Sequence, residues 1–190
     1  MPFMALYVEE LGAPKNKVEW YAGLAVSLSA LASALIAPVW GRLADRYGRK
    51  PMMVRASLVM TFTMGGLAFV PNVFWLLALR LLNGLFSGYI PNSTALIASQ
   101  APKNRSGYAL GTLATGMIGG SLIGPLLGGM LAEGLGIRQV FLLVGFILLI
   151  CNFLTVFLIK EDFKPVAKAN AMSTRELFSS IKDKQILIGL

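Results

Sequence analysis

Gly41-Arg42-Leu43-Ala44-Asp45-Arg46-Tyr47-Gly48-Arg49-Lys50-Pro51 is a short, strongly charged stretch between two long apolar runs. Upstream, residues 20–41 carry no charge, and downstream the only charge before Arg80 is Arg55. Four basic residues and one acid gather here, and two glycines permit tight turning. A loop this basic, beside membrane-length runs, is expected to stay on the cytoplasmic side. That assignment fixes the direction in which every other apolar run crosses.

The totals agree with a membrane setting. Of 190 residues, 56% are apolar and only 14% are charged. A soluble domain of this size needs more charge to cover its surface. The net charge of +8 is spread between the apolar runs instead of forming one patch, which points to a bilayer and away from nucleic acid. The single cysteine, Cys151, excludes an intramolecular disulfide and offers no pair for a metal. There is no histidine, so imidazole catalysis and imidazole metal ligation are absent. With no clustered acids and no activated nucleophile, the sequence does not read as an enzyme.

Residues 1–8 are apolar but too short to span, and they lack the basic start of a signal peptide. Residues 185–190 begin an apolar run. Runs of about 20 residues are needed to cross the hydrocarbon core. The expected fold is therefore an all-α, polytopic transmembrane bundle, read as a fragment. A remnant of helix one covers 1–8, and helices two to six cover about 20–41, 52–70, 73–99, 107–131 and 138–159. A central linker follows at 160–184, and 185–190 opens a seventh helix.

Several local signals refine this layout. Arg55 lies near enough to the inner end of helix three to snorkel. Pro71-Asn72 reads as a tight outer turn, and 132–136 as another. Asn104 or Ser106 is placed to cap helix five. Ser173-Thr174-Arg175-Glu176 has capping-box spacing, and Leu177, Phe178 and Ile181 then share a face, as in a short amphipathic helix on the inner surface. In this topology, Arg42, Arg46, Arg49, Lys50, Arg55, Lys103, Arg105, Lys160, Lys164, Lys168, Arg175, Lys182 and Lys184 lie inside. Only Lys15, Lys17 and Arg138 lie outside. The asymmetry favours this orientation over its inverse.

Three features carry chemistry. Arg80 is the only charge well inside an expected span, about two turns into helix four. Placing it there costs about 2.5–3.5 kcal/mol on insertion scales, so it should face a cavity or a protein partner. Asp45 is the only acid of the basic stretch and should stay ionised, as a brace or as a latch, paired within its own loop, with Arg105, or with a helix N-terminus. In helix five, Gly116, Gly120, Gly124 and Gly128 recur every four residues on one face, with Gly111, Gly129 and a helix-bending Pro125 beside them. A smooth glycine face admits another helix backbone.

With these three features in place, the chain resembles the N-terminal half of a major facilitator superfamily transporter, in the drug–proton antiporter branch with twelve helices. Gly41, Asp45, Arg46, Gly48, Arg49 and Lys50 match the signature between helices two and three. Arg80, Gly84 and Gly88 match the helix-four signature, and Gly111, Gly120, Gly124, Pro125, Gly128 and Gly129 match the antiporter signature. The resemblance implies an inner gate built on Asp45 and its basic neighbours, with Arg105 as a candidate partner. It implies that Arg80 belongs to the proton-coupling machinery and that the helix-five motif contacts the other half. No cofactor is implied beyond the proton gradient. The implied partners are the bilayer, a small-molecule substrate and the C-terminal half, in the cytoplasmic membrane.

Departures from the family pattern also matter. Helices two to six hold no acid at the membrane centre, so a proton carrier must lie elsewhere unless an edge carboxylate serves. Candidate substrate-lining residues are Asn83, Ser87, Tyr89, Asn92 and Ser93, with Met60, Met64 and Met117 as adaptable apolar contacts. For each of them, interhelical or lipid packing is the competing role. The expected function is proton-coupled efflux of drug-like apolar or cationic compounds. The rivals are a carrier of a defined metabolite, such as a sugar or amino acid, and a non-transporting scaffold.

Overall fold

The computed structural model describes residues 4–102 and 104–161. Its regular elements are helices: α1 (Met4–Glu10), a 3₁₀ turn (Lys15–Lys17), α2 (Val18–Tyr47), α3 (Arg49–Leu67), α4 (Val73–Leu85), α5 (Tyr89–Gln100), α6 (Ser106–Leu135) and α7 (Ile137–Leu158). The expected linker and its amphipathic helix, from residue 162 onward, and the start of a seventh helix lie outside the described residues.

In α1, Met4, Tyr7 and Val8 form a buried i, i+3, i+4 stripe. The Tyr7 hydroxyl donates to the Leu67 carbonyl, and its ring lies 5.0 Å from that of Phe141 in α7. These residues join Val18, Leu67, Val70, Val73 and Leu76 in an apolar core at the Pro71 end of the bundle. Gly12, with φ +81°, turns the chain between α1 and the 3₁₀ segment.

The charged stretch is not the loop expected at Gly41–Pro51. Helix α2 has 30 residues, about 45 Å at 1.5 Å per residue, against a hydrocarbon core of about 30 Å. The surplus turns take Arg42, Asp45 and Arg46 past the apolar layer while they remain helical. Only Gly48 between Gly41 and Pro51 lies outside a helix. Its φ of 98° is open to glycine and strained for other residues. Helix α3 therefore starts at Arg49, three residues before the expected Met52.

The fourth span is also corrected, because it is two helices. Chain from Phe86 to Gly88 separates α4 from α5, and Gly88 has φ +122°. The reason lies three residues on. In an unbroken helix the Pro91 ring would press on the Ser87 carbonyl, and Pro91 has no N–H to give it. With the helix restarted at Tyr89, Pro91 falls in the first turn of α5, where no N–H is required. At the other end of the span the Pro71-Asn72 turn is present, and Asn72 Oδ1 caps α4 by accepting from Trp75 N at 3.2 Å.

Helix α6 begins after Arg105, which occupies the N-cap position in place of Asn104 or Ser106. It runs through Leu135, so the turn expected over 132–136 shrinks to Gly136, φ +89°. Helix α7 follows at once.

Among the described residues, four stretches are long and apolar enough to cross a membrane: Lys15–Tyr47, Val73–Gln100, Ser106–Leu135 and Ile137–Leu158. Helix α3 is not one of them, since it carries Arg49, Lys50 and Arg55. It is instead sheltered by protein. It packs on α7, α5 and α4 and buries Met52, Met53, Ala56, Ser57, Thr63, Met64 and Leu67. Met64, expected near a substrate cavity, is thus part of the core. The α3–α7 seam depends on small and polar residues. A Cβ on Gly145 would lie 2.9 Å from Gly65 Cα, and Asn152 Nδ2 donates to Ser57 Oγ at 2.6 Å and the Val54 carbonyl at 3.0 Å. Helix α6 is peripheral, touching α5 and α7, and buries no residue.

Candidate functional site

At the end of the bundle bearing Gly48, α2 and α3 meet almost without a connector. Gly48 N donates to the Ala44 carbonyl at 2.9 Å, closing α2. Across the turn, Arg49 Nη2 and Asp45 Oδ1 form an ion pair at 2.9 Å. The pair is solvent-exposed, so it is worth under about 1 kcal/mol and can form and break readily. Asp45 thus pairs within the charged stretch, and Arg105 stands exposed at the start of α6.

Glu161, just past α7, completes this end. Its Oε1 accepts from Arg49 N at 2.7 Å and its Oε2 from Lys50 N at 2.8 Å. A helix start leaves its first N–H groups without partners. Here the first two are taken by one carboxylate and the third residue is Pro51, which has none. The negative charge also lies at the positive end of the helix dipole. Sequence reading missed Glu161. Its only signal was an acid immediately after an apolar run, and its partner was hidden because α3 was expected to start later.

Deeper in the bundle, Arg80 is only 5% exposed. Its Nε and Nη2 find no hydrogen-bond partner among the described residues. A buried guanidinium with free donors is costly unless something charged or polar meets it. Its backbone is firmly held, because Ser29 Oγ in α2 donates to the Arg80 carbonyl at 2.7 Å. One turn on, Gly84 lies against α2 so closely that a Cβ would overlap the Ser29 carbonyl oxygen and lie 3.0 Å from Ala32 Cβ. Ser29 and Ala32 belong to the small residues of helix two, which by sequence suit close contact with other helices, and Gly84 is the partner that the sequence left unnamed.

The five polar residues considered for substrate contact do not gather on one wall. Ser87 Oγ meets Ser33 Oγ of α2 at 2.7 Å, while Tyr89 Oη meets Thr155 Oγ1 of α7 at 3.1 Å. Asn92 Nδ2 donates to the Gly88 carbonyl at 2.7 Å, and Ser93 Oγ to the Ile90 carbonyl at 2.8 Å. Asn83 is half-buried in α4. Four of the five are therefore engaged within the bundle.

The glycine-rich face of α6 is open. No atom lies within 4 Å of where a Cβ would stand at Gly111, Gly116, Gly120 or Gly124 among the described residues. Pro125 lies inside the helix, and Gly128 and Gly129 lie half-buried beyond it. An apolar hollow of about 470 Å³ separates α6 from α5, lined by Ile97, Ala109, Thr112, Leu113, Gly116 and Met117.

Residues 1–190 match the family model of the Major Facilitator Superfamily. The chain belongs to this superfamily. Over 190 residues, the whole of this chain, it is 63% identical to the multi-drug resistance efflux pump PmrA homolog of Lactococcus lactis, covering 47% of that protein. It is 60% identical over the same length to the multi-drug resistance efflux pump PmrA of Streptococcus pneumoniae, covering 48% of it. It is also 48% identical over 191 residues to the multidrug resistance protein MdtG of Proteus mirabilis, again with the whole chain matched and 48% of the relative covered. The chain spans about half the length of these curated relatives.

As a major facilitator chain, and so a multi-pass membrane protein of a transporter family, it places its signature residues in two different settings. The Gly48 turn and the Arg80–Gly84 turn are both tied to neighbouring helices. At Gly111, Gly116, Gly120 and Gly124 of α6 nothing described stands within 4 Å of a Cβ position.

Proposed function

We propose that this chain is the first half of a transporter that exports drug-like apolar or cationic compounds across the cytoplasmic membrane, driven by inward proton flow. One observation carries the reading: relatives named as multidrug efflux pumps are 60–63% identical to it over its full length. Arg80 fits the coupling role, being buried with Nε and Nη2 unpartnered among the described residues. A carboxylate arriving there while deprotonated would satisfy those donors, and its protonation would release it. Asp45, Arg49 and Glu161 fit the inner gate, because an exposed ion pair and a capped helix start can be exchanged for other contacts at small cost. The Gly48 end then faces the cytoplasm, in keeping with its excess of basic residues. Alternating access needs two halves rocking about a midplane site, so the other half of the pore lies outside this chain.

The test uses the full-length protein in inverted membrane vesicles. An inside-acid gradient is imposed and uptake of a fluorescent cationic dye is followed, with Asp45→Asn and Arg80→Ala alongside. Gradient-dependent accumulation that both substitutions abolish is the expected result. Transport of a sugar or amino acid with no dye movement would sink the drug assignment and leave the fold untouched.

A further inference from the structure

The break in the fourth span poses a problem that this structure solves with side chains. Where a helix stops inside an apolar layer, its last carbonyls lose their N–H partners, and lipid offers none. Three such carbonyls belong to Leu85, Phe86 and Ser87. Trp40 Nε1, from α2, donates to the Leu85 carbonyl at 2.7 Å. Arg55 Nη2, from α3, donates to the Ser87 carbonyl at 3.0 Å and the Phe86 carbonyl at 3.4 Å. The same two side chains hold each other, with the Arg55 guanidinium carbon 3.3 Å above the centre of the Trp40 ring. Arg55, which the sequence places near enough to the inner end of helix three to snorkel, is half-buried here and reaches the break. The Trp40 ring covers the guanidinium plane and Nη2 donates to the two carbonyls, while Nε and Nη1 find no hydrogen-bond partner among the described residues.

We propose that Arg55 is a positioning residue for transport: with Trp40 it clamps the break in the fourth span and so sets where the Arg80-bearing half, α4, stands relative to α5. The two members of the clamp flank the Gly48 turn, Trp40 before it in α2 and Arg55 after it in α3. A shift of the α2–α3 hairpin at its charged end is carried by a continuous set of contacts to the break, and through α4 to Arg80. The clamp is a physical link between the two signature regions, which otherwise lie on different helices. The proposal rests on the transport reading only for its turnover measurement.

The experiment uses the full-length protein with its native cysteines, Cys151 among them, replaced by serine. Spin labels are placed at Trp75→Cys in α4 and Ala98→Cys in α5, both exposed positions. The distance between them reports the angle at the break. The parent should give one narrow distribution. Arg55→Ala should broaden it and lower dye turnover by about ten-fold, with KM little changed. Arg55→Lys keeps the charge without the flat face or the forked donors, and it should broaden the distribution as well. Trp40→Phe keeps a ring and loses the donor to Leu85, and a smaller broadening is expected. If Arg55→Ala does not fold, Arg55→Lys and Trp40→Phe decide. A distribution as narrow as the parent's in every folded variant, with parent turnover, overturns the clamp. Broadening in a protein that moves no dye supports the clamp and overturns only the efflux reading.

Discussion

At Gly84 the space of a missing side chain is filled by a neighbouring backbone, and the Ser29 carbonyl and Cα occupy the place of a Cβ. Gly145 makes the same kind of approach to Gly65 across the α3–α7 seam. Along α6 the glycines at 111, 116, 120 and 124 face open space. Both kinds of position lie in apolar helical stretches, and both read in the sequence as small residues suited to close packing. The difference is in what lies opposite. In the first case the partner helix belongs to this chain and the approach is complete. In the second, a spaced row of glycines presents a surface with no described partner. A glycine pattern therefore states a capacity for contact, and only the neighbours show whether it is used here.

The contrast can be broken most directly at Gly84. Gly84→Leu must displace the α2 backbone as well as side chains, and overpacking of this kind costs about 1–3 kcal/mol or more. A marked fall in melting temperature and in yield of the solubilised full-length protein is expected; an unchanged melt would mean that α2 and α4 are not in this contact. The polar part of the buried seam should be softer. Asn152→Leu removes both bonds to α3, for about 1 kcal/mol. Adding Ser57→Ala should cost less than the two single effects summed, because the two residues share one bond. A thermal-melt cycle that came out additive would deny the coupling.

Glu161→Gln tests the charged end, where a part-buried carboxylate caps a helix start. It keeps the shape and removes the charge that caps α3, so about 0.5–1 kcal/mol should be lost. Amide hydrogen exchange at Arg49 and Lys50 should rise, and unchanged protection there would argue against the cap. The smallest stability effect is expected at Gly116→Ala. No clash is present to resist the methyl group, and alanine in a helix interior is favoured over glycine by about 0.5–1 kcal/mol. The melt of the full-length protein should hold or rise slightly. A drop comparable to that of Gly84→Leu would show that another backbone closes on α6 as tightly as α2 closes on α4.

The sequence signals that could be read were those carried by a single segment. Spans announce themselves by uncharged length, so four membrane-length stretches among the described residues were legible, as was the isolation of Arg80 in helix four. Helix ends were less legible. The run from Gly41 to Tyr47 looked like a loop because it is charged, yet charge does not stop a helix that has already left the apolar layer. Arg55 and Glu161 were misjudged or missed for a related reason. Each acts on backbone groups of a distant segment, Arg55 on Phe86 and Ser87 and Glu161 on Arg49 and Lys50. Nothing in the local pattern names such a partner. The five polar residues of span four show the same limit: by sequence they were candidates for substrate contact or for packing, and only the fold shows Ser87 meeting Ser33 and Tyr89 meeting Thr155.

By itself, then, the sequence determined a helical membrane protein with apolar stretches of spanning length, and it held three charged or glycine-rich stretches that resemble those of its superfamily. The first follows from composition and length, which act along one segment at a time. Only the tertiary structure decided that α3, with Arg49, Lys50 and Arg55, is sheltered by other helices, that the fourth span breaks at Gly88, and that Gly84 is filled while Gly111, Gly116, Gly120 and Gly124 stay open. The reason is that a break, a buried cation or a bare glycine face is tolerated according to what another helix brings to it: a donor for a freed carbonyl, a ring for a guanidinium, a backbone for an empty Cβ site.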